Sequence, residues 1–587
     1  MPRRLNHVCA LLTLVLLLPT ALRAADQPAE TAARKIKEFQ LRDVLGKPVS
    51  LAEFGDRKAV VAVFLGTECP LVKLYIPRLN DLHARLAKQG VALVAIDSNV
   101  QDTLTETAAF VRRHDVAFPV LMDPDGAVAQ SFGATRTPQA FVLDAQHMVR
   151  YAGRIDDQFG VGYQRPQPTR EDLSVAVDEL LAGKSVSTPQ TKPVGCIIGR
   201  TERPAAGKAT VNYSEHVASI LQNRCVECHR SGEIAPFPLM TYEDARPWAE
   251  MIAEVVSERR MPPWFANPEF GHFSNSSQLS EQERNTLLSW VEQGCAEGDP
   301  AKAPPPVTFS SDWQIGKPDL VLKMADKPYS VAPTGAIPYQ HYTVDPGFTE
   351  DMWMTASESR PGNRSVVHHI LVFAVPPGST FQEQFVKGHL IAAFAPGVPP
   401  HPLPKGQATL LRKGSQIVMQ VHYTANGRVE EDLSSLGLKF CRAEEVKQEV
   451  ECGMAINVLL SIKPQLADQK FRADYVFKDD RLLLTMTPHM HLRGKAFRYE
   501  AVYPDGKKEV LLDVPRYDFN WQITYKLAEP KLMPKGTRLR CYATFDNSTE
   551  NLSNPNPAMQ VRFGEQTWDE MLIGWYTAAH VVNPASP

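Results

Sequence analysis

The chain has 587 residues, with 63 Lys and Arg against 66 Asp and Glu, and a formal net charge of −3. That near-balance leaves no footprint for nucleic acid or an acidic membrane surface. Nine cysteines are too sparse for a disulfide-built scaffold, while a 43% apolar fraction allows full cores. The length implies roughly four domains. At the N-terminus, Arg3 and Arg4, the apolar run Cys9 to Leu18 and the segment Ala21-Leu22-Arg23-Ala24 read as an export signal over residues 1–24, cleaved after Ala24. The run is too short to span a bilayer, and no later stretch is long enough either. An uncleaved anchor is the alternative. The expected mature chain is periplasmic or secreted, has no membrane span, and meets an oxidising compartment.

Residues 35–185 alternate strand and helix. Ala59 to Leu65 is a continuous apolar strand, and Thr67-Glu68-Cys69-Pro70 turns into a helix reaching about Lys88. Val91 to Ile96 is the next strand, a helical segment follows near Thr103 to His114, and Thr137-Pro138 precedes the strand Ala140 to Leu143. This order resembles the thioredoxin-like redoxins and implies an α/β domain, with Pro138 at the place of that family's cis-proline. Cys69 starts a helix, whose dipole favours its thiolate. The family pattern is broken at two positions. Val72 stands three after Cys69, so there is no Cys-x-x-Cys, and Gly66 stands three before it, where peroxiredoxins carry Thr or Ser. Two readings stay open: Cys69 and the distant Cys196 form a redox-active pair, or Cys69 is a relic thiol on a structural domain.

A Pro-, Thr-, Gly- and Lys-containing linker covers 186–208. Then comes Cys225-Val226-Glu227-Cys228-His229, the attachment signature of c-type haem. Both thiols would form thioethers with the porphyrin, and His229 would be the proximal iron ligand. A zinc site is the structural alternative, but no second Cys-x-x-Cys or paired His lies nearby. Met240 and Met261 both follow within reach as a sixth ligand. Met261, which opens Met261-Pro262-Pro263-Trp264, is the preferred one because the turn would present its sulfur. The expected domain is small and all-α, over 209–300, closed by an amphipathic segment from Glu281 to Cys295. Its stretch Ala235 to Trp264 looks like the cytochrome c modules fused to copper domains. A second linker spans 301–316.

From there on, short β-runs separated by Gly, Pro and Asn turns predict two all-β sandwiches, over 317–460 and 461–587. Val366 to Phe373 holds His368 and His369, Ile417 to Tyr423 holds His422, and Thr487 to Leu492 holds His489 and His491. Residues two apart on a strand share a face, so His489 and His491 can aim at one point. Adjacent His368 and His369 need a bulge or a strand end to do the same. Taken singly, a histidine in an apolar strand is more often a core residue than a ligand, and a buried Met is usually gap filler. Cys441 and Cys452 can bridge across a hairpin near Glu445 to Lys447, while Cys541 has no evident partner.

The set of motifs changes that balance. His-His, then Gln-Val-His-Tyr, then His-x-His, then a late Asp-Glu-Met, in that order over about the last 270 residues, resembles the copper type II, ascorbate-dependent monooxygenases, among them the peptidylglycine and dopamine hydroxylating enzymes. The resemblance implies two jelly-roll-like copper domains and two copper ions. One ion, on His368, His369 and His422, would store and pass an electron. The other, on His489, His491 and Met571, would bind O₂ and attack a substrate C–H bond. Thr487 replaces the Arg with which the peptide enzymes hold a carboxylate, and Leu572 to Tyr576 lacks their polar Asn and Tyr, so the expected substrate is a small apolar or aromatic molecule. Electrons would enter from ascorbate, a periplasmic protein donor or the attached haem domain. The competing readings are a non-catalytic exported electron carrier or copper-handling protein, and a thiol peroxidase centred on Cys69.

Overall fold

The computed structural model describes residues 34–200, 209–309, 313–377, 379, 389–395, 400 and 402–581. The expected export signal and parts of both linkers lie outside them. The N-terminal unit is a seven-stranded sheet in the order Pro48–Ser50, Gln40–Asp43, Val120–Met122, Val91–Asp97, Ala59–Leu65, Gln139–Asp144, Val149–Gly153. Every residue of the central strand Ala59–Leu65 is buried. Alternation along it sends Val61, Val63 and Leu65 to one core, and Val60, Ala62 and Phe64 to the other. The helix Pro70–Lys88 covers the first core through Val72, Ile76 and Leu79, and Pro70 at its first position starts it cleanly.

Residues 209–300 are mainly helical. The helices Ala218–Arg224, Ala249–Ser257 and Glu281–Glu292 enclose a cluster built on Trp248, Leu287 and Trp290. Between the last two helices an arm leaves the unit. Phe273 bridges to Leu527, and Asn275 exchanges hydrogen bonds with Thr524 and Lys526, so the arm covers the edge strand Tyr525–Met533.

The C-terminal region is β-rich. Its largest sheet has eight strands in the order Leu320–Lys323, Ser435–Cys441, Met352–Arg360, Gln407–Leu411, Gln448–Ile456, Ile573–His580, Arg481–His489, Tyr525–Met533. Each half adds a four-stranded sheet: Gln340–Val344, Gln416–Tyr423, Val367–Val375, His389–Phe394 in one, and Gln469–Val476, Arg538–Phe545, Gly494–Val502, Lys508–Val514 in the other. The structure departs from the expected split near residue 461. Gln448–Ile456 pairs along its length with Ile573–His580, and meets Gln407–Leu411 through two residue pairs. The second half therefore begins one strand earlier. The expected Cys441–Cys452 bridge is corrected too. Both are free thiols, Cys441 opposite Trp353 and Cys452 opposite Thr577, because the two strands part into different pairings instead of forming a hairpin.

The units touch at defined points. An ion pair between Arg136 and Glu254 joins the first unit to the helical one. Arg364, four residues before His368, pairs with Glu233 of the helical unit at 2.8 Å. Gly427, in the turn after His422, lies against the first unit at φ +93, and a Cβ there would sit 2.2 Å from the Lys73 carbonyl oxygen. Gly427→Ala is thus expected to destabilise this junction by about 1–3 kcal/mol, read as a lower melting midpoint with the secondary structure retained.

Candidate functional site

Cys69 caps the helix Pro70–Lys88 and is 1% exposed. Its Sγ, as a thiol, donates to the Thr137 carbonyl at 3.0 Å. Thr137 precedes Pro138 across a cis peptide bond, at the position the redoxin resemblance marks. A two-residue strand, Cys196–Ile197, pairs antiparallel with Arg136–Thr137 and sets Cys196 directly opposite Thr137. Residues 127 apart in the chain are thereby brought to one point. Burial alone pushes the Cys69 thiol up. Hydrogen bonds from the side chain and backbone of Cys196, and from the Val72 backbone, outweigh it and bring the thiol down to about 6. Cys196 moves well above the ordinary range, because its proton is held by the hydrogen bond to Cys69 and because it is buried. A low, nucleophilic thiol beside a high, protonated one is the arrangement of a dithiol that exchanges with disulfides.

A second constellation lies in the β region. His369 stands opposite His422 across the strands Val367–Val375 and Gln416–Tyr423. The register slips between Val367 and His369, and this is the bulge that two adjacent histidines need to share a target. The ligand nitrogens of His368, His369 and His422 all lie within 4.8 Å of one another. The second pair sits at and just beyond the end of Arg481–His489. His489 Nδ1 meets Gln522 Oε1 at 2.8 Å, and His491 Nδ1 meets the Asp569 carbonyl oxygen at 3.3 Å. Each contact fixes the tautomer that leaves Nε2 free. The Glu570 carboxylate accepts from the backbone N–H of His491 at 2.9 Å and of Arg493 at 2.6 Å, which pins the turn.

Met571 is 2% exposed and packs in an apolar cluster with Phe373, Val375, Val418, Ile573 and Trp575, between the two β halves. The pairing of His489 with Ile573, continued by two residues, carries Met571 to the level of His491. The two histidine sets face each other across two rings. Tyr339 lies 5.5 Å from His369, 4.7 Å from His422 and 6.4 Å from His491, centroid to centroid. Phe519 lies 5.5 Å from His368, 6.1 Å from His422 and 5.9 Å from His491.

These residues fit a metal. The Nε2 atoms of His369 and His491 and Nδ1 of His422 are buried with no hydrogen-bond partner, a costly state that a bound cation would relieve. Burial drives His368 and His489 to about 4 and His491 to about 3, so the rings are neutral and able to ligate. Gln522→Ala frees the His489 ring, and copper affinity is expected to fall about 10–100-fold, measured by competition with a chelator.

The Cys225-to-His229 segment forms a turn in which the His229 N–H bonds to the Cys225 carbonyl at 2.9 Å. His229 Nδ1 meets the Phe237 carbonyl oxygen at 3.0 Å, which leaves Nε2 as the free nitrogen and fits an axial ligand. Met261 follows the helix Ala249–Ser257 and precedes a cis Pro262.

The family model described as AhpC/TSA matches residues 32–152. The N-terminal unit is a thioredoxin-like domain of the AhpC/TSA type. Thiol-disulfide oxidoreductase ResA of Bacillus thuringiensis is 29% identical over 111 residues, covering 19% of this chain and 62% of that protein. ResA of Halalkalibacterium halodurans is 27% identical over 120 residues, covering 20% of this chain and 66% of that protein. The chain thus spans about two-thirds or less of the length of these relatives. Among solved structures, a hypothetical protein from Sinorhizobium meliloti is 36% identical, covers 29% of this chain and 95% of its own, and has a TM-score of 0.27. Among the described residues, no helix is long and apolar enough to cross a membrane.

Sequence reasoning missed Tyr339, Phe519, Gln522 and Glu570, since none belongs to a spaced motif. Glu570 alone had a signal, as a neighbour of Met571 in Asp-Glu-Met.

Proposed function

We propose that this chain is an exported oxidoreductase whose thioredoxin-like unit exchanges thiols and disulfides, with Cys69 as nucleophile and Cys196 as resolving thiol. The observation that carries this is the alignment of Cys196 with Thr137, whose carbonyl oxygen is 3.0 Å from Cys69 Sγ. Disulfide exchange is favoured over peroxide reduction because no hydroxyl stands three residues before Cys69. A side chain at Gly66 would meet the Asn99 amide nitrogen at 2.6 Å, and that amide is held by the Leu65 carbonyl and Asp97. Mild oxidation of the reduced protein, followed by peptide mapping, should recover a Cys69–Cys196 disulfide. Two free thiols after oxidation would refute the reading.

A second reading rests on a different observation, the buried and unpartnered nitrogens of His369, His422 and His491. In this reading the β region is a copper-dependent monooxygenase acting on a small apolar or aromatic substrate, with His368, His369 and His422 holding one ion and His489, His491 and Met571 the other. Bound copper would supply one-electron chemistry toward O₂. The chain supplies neutral imidazoles, fixes two of their tautomers through Gln522 and Asp569, and fills the space between the sets with Tyr339 and Phe519. Cys225, Cys228 and His229, with Met261 as sixth ligand, would hold a covalent haem in the helical unit. Metal and haem content of the exported protein, combined with ascorbate-driven oxygen uptake, tests this reading. Bound copper without uptake would indicate copper handling or electron transfer instead, and His229→Ala should slow uptake only with a protein donor.

A further inference from the structure

We propose that the Gly195–Ile197 segment is a displaceable occupant of a peptide-binding edge, and that what replaces it is an extended, cysteine-bearing segment of a partner protein. The inference rests on the thiol–disulfide reading above and names its substrate class. Arg136–Thr137 is a strand of two residues, and in its two-stranded sheet it pairs with Cys196–Ile197. Around that pairing the segment is held chiefly by main-chain contacts. Ile198 N–H donates to the Thr135 carbonyl at 3.0 Å, and the Arg136 guanidinium donates to the Gly195 carbonyl at 2.8 Å. Such contacts read extended backbone, not side-chain identity, which is how an edge strand accepts an added peptide. The one cysteine of the segment falls where a partner's cysteine would have to fall, beside Cys69.

Two further observations make the segment a plug. Cys69 is 1% exposed beneath it, so an outside sulfur reaches Cys69 only after the segment lifts. Its seat also depends on a residue without a side chain. Gly195 has φ +136, and a Cβ there would fall 2.0 Å from the Thr137 carbonyl oxygen. Two paired residues cost little to release compared with the seven pairs joining Ala59–Leu65 to its parallel neighbour.

The chemistry balances within the two proteins. With the segment lifted, the Cys69 thiolate attacks one sulfur of the partner's disulfide. That S–S bond breaks, and the other sulfur leaves as a thiolate and takes a proton. When the segment reseats, Cys196 loses its proton and attacks Cys69 Sγ in the mixed disulfide, expelling the second partner sulfur as a thiol. The partner disulfide is reduced to two thiols, and the Cys69–Cys196 dithiol is oxidised to a disulfide.

The test uses full-length protein carrying Cys196→Ser, with and without Gly195→Ala. Two probes are compared, an extended ten-residue peptide bearing one glutathionylated cysteine, and oxidised glutathione alone. Cys69 modification is followed by peptide mass spectrometry. Gly195→Ala should speed maleimide labelling of Cys69 about 10-fold by opening the edge, and should speed capture of the peptide more than that of glutathione. An unchanged labelling rate in a folded variant overturns the plug, and equal gains for both probes overturn the peptide edge. Should the variant fail to fold, hydrogen exchange on the wild type decides: peptide must accelerate exchange at Cys196–Ile198 and leave Ala59–Leu65 unchanged, and a failure to do so overturns the inference. Absence of a Cys69–Cys196 disulfide in oxidised wild type defeats the thiol reading itself. Its presence alongside a negative Gly195→Ala result defeats only this inference.

Discussion

Alkylation of Cys69 in the wild-type protein should rise through a midpoint near pH 6, and replacing Cys196 by alanine should move that midpoint upward. Burial opposes the thiolate, and the hydrogen bonds from the Cys196 side chain and backbone are the largest favourable contributions. The substitution removes the side-chain donor and keeps the backbone one, so the shift is part of the way back toward the ordinary thiol range. The sign follows: a higher midpoint means less thiolate at pH 7 and slower reaction. A thiol titrating near 6 is mostly ionised at pH 7, and one near 9 is about 1% ionised, so the rate should fall by about one to two orders of magnitude. Cys69→Ser removes the nucleophile and should abolish disulfide exchange altogether. Measured as the pH profile of iodoacetamide labelling at Cys69, a midpoint that stays put in Cys196→Ala would mean the two thiols do not interact.

The second large effect is expected at His422. It is the member of the first histidine set that comes from a different strand, and it stands opposite His369. His422→Ala leaves His368 and His369 with no third nitrogen. Since losing a supporting contact alone costs about 10–100-fold in metal affinity, losing a ligand should cost more than 100-fold. Equilibrium dialysis with copper should then show one ion fewer per chain than the wild type. Copper should also raise the melting midpoint of the wild type more than that of the variant, because a ligand stabilises the fold in proportion to how tightly it binds. Identical copper uptake by both proteins would remove His422 from the site.

Much of the first unit could be read without coordinates. The apolar run Ala59 to Leu65 became a fully buried strand, and the helix after Cys69 runs from Pro70 to Lys88. Local pattern decides such elements, since burial on both faces demands continuous apolar sequence. The division of the β region was less legible. The strand Gln448–Ile456 follows the first half in sequence and pairs with the second, and nothing in its own residues states which neighbour it will take. The Cys441–Cys452 expectation failed for the same reason, as it presumed that consecutive strands form a hairpin.

The sequence by itself determined which atoms are available: a thiol opening a helix, a Cys-x-x-Cys-His turn, and five histidines set in strand-like runs. Spacing could say that His489 and His491 share a side, because the backbone repeat of a strand is local. Only the tertiary structure decided which distant groups meet. It aligned Cys196 with Thr137 beside Cys69, put a bulge at His368 so that adjacent imidazoles reach one point, and set Tyr339 and Phe519 between the two histidine sets. Strand register and the packing of one unit on another are fixed by contacts between residues far apart in the chain, and no local pattern encodes them.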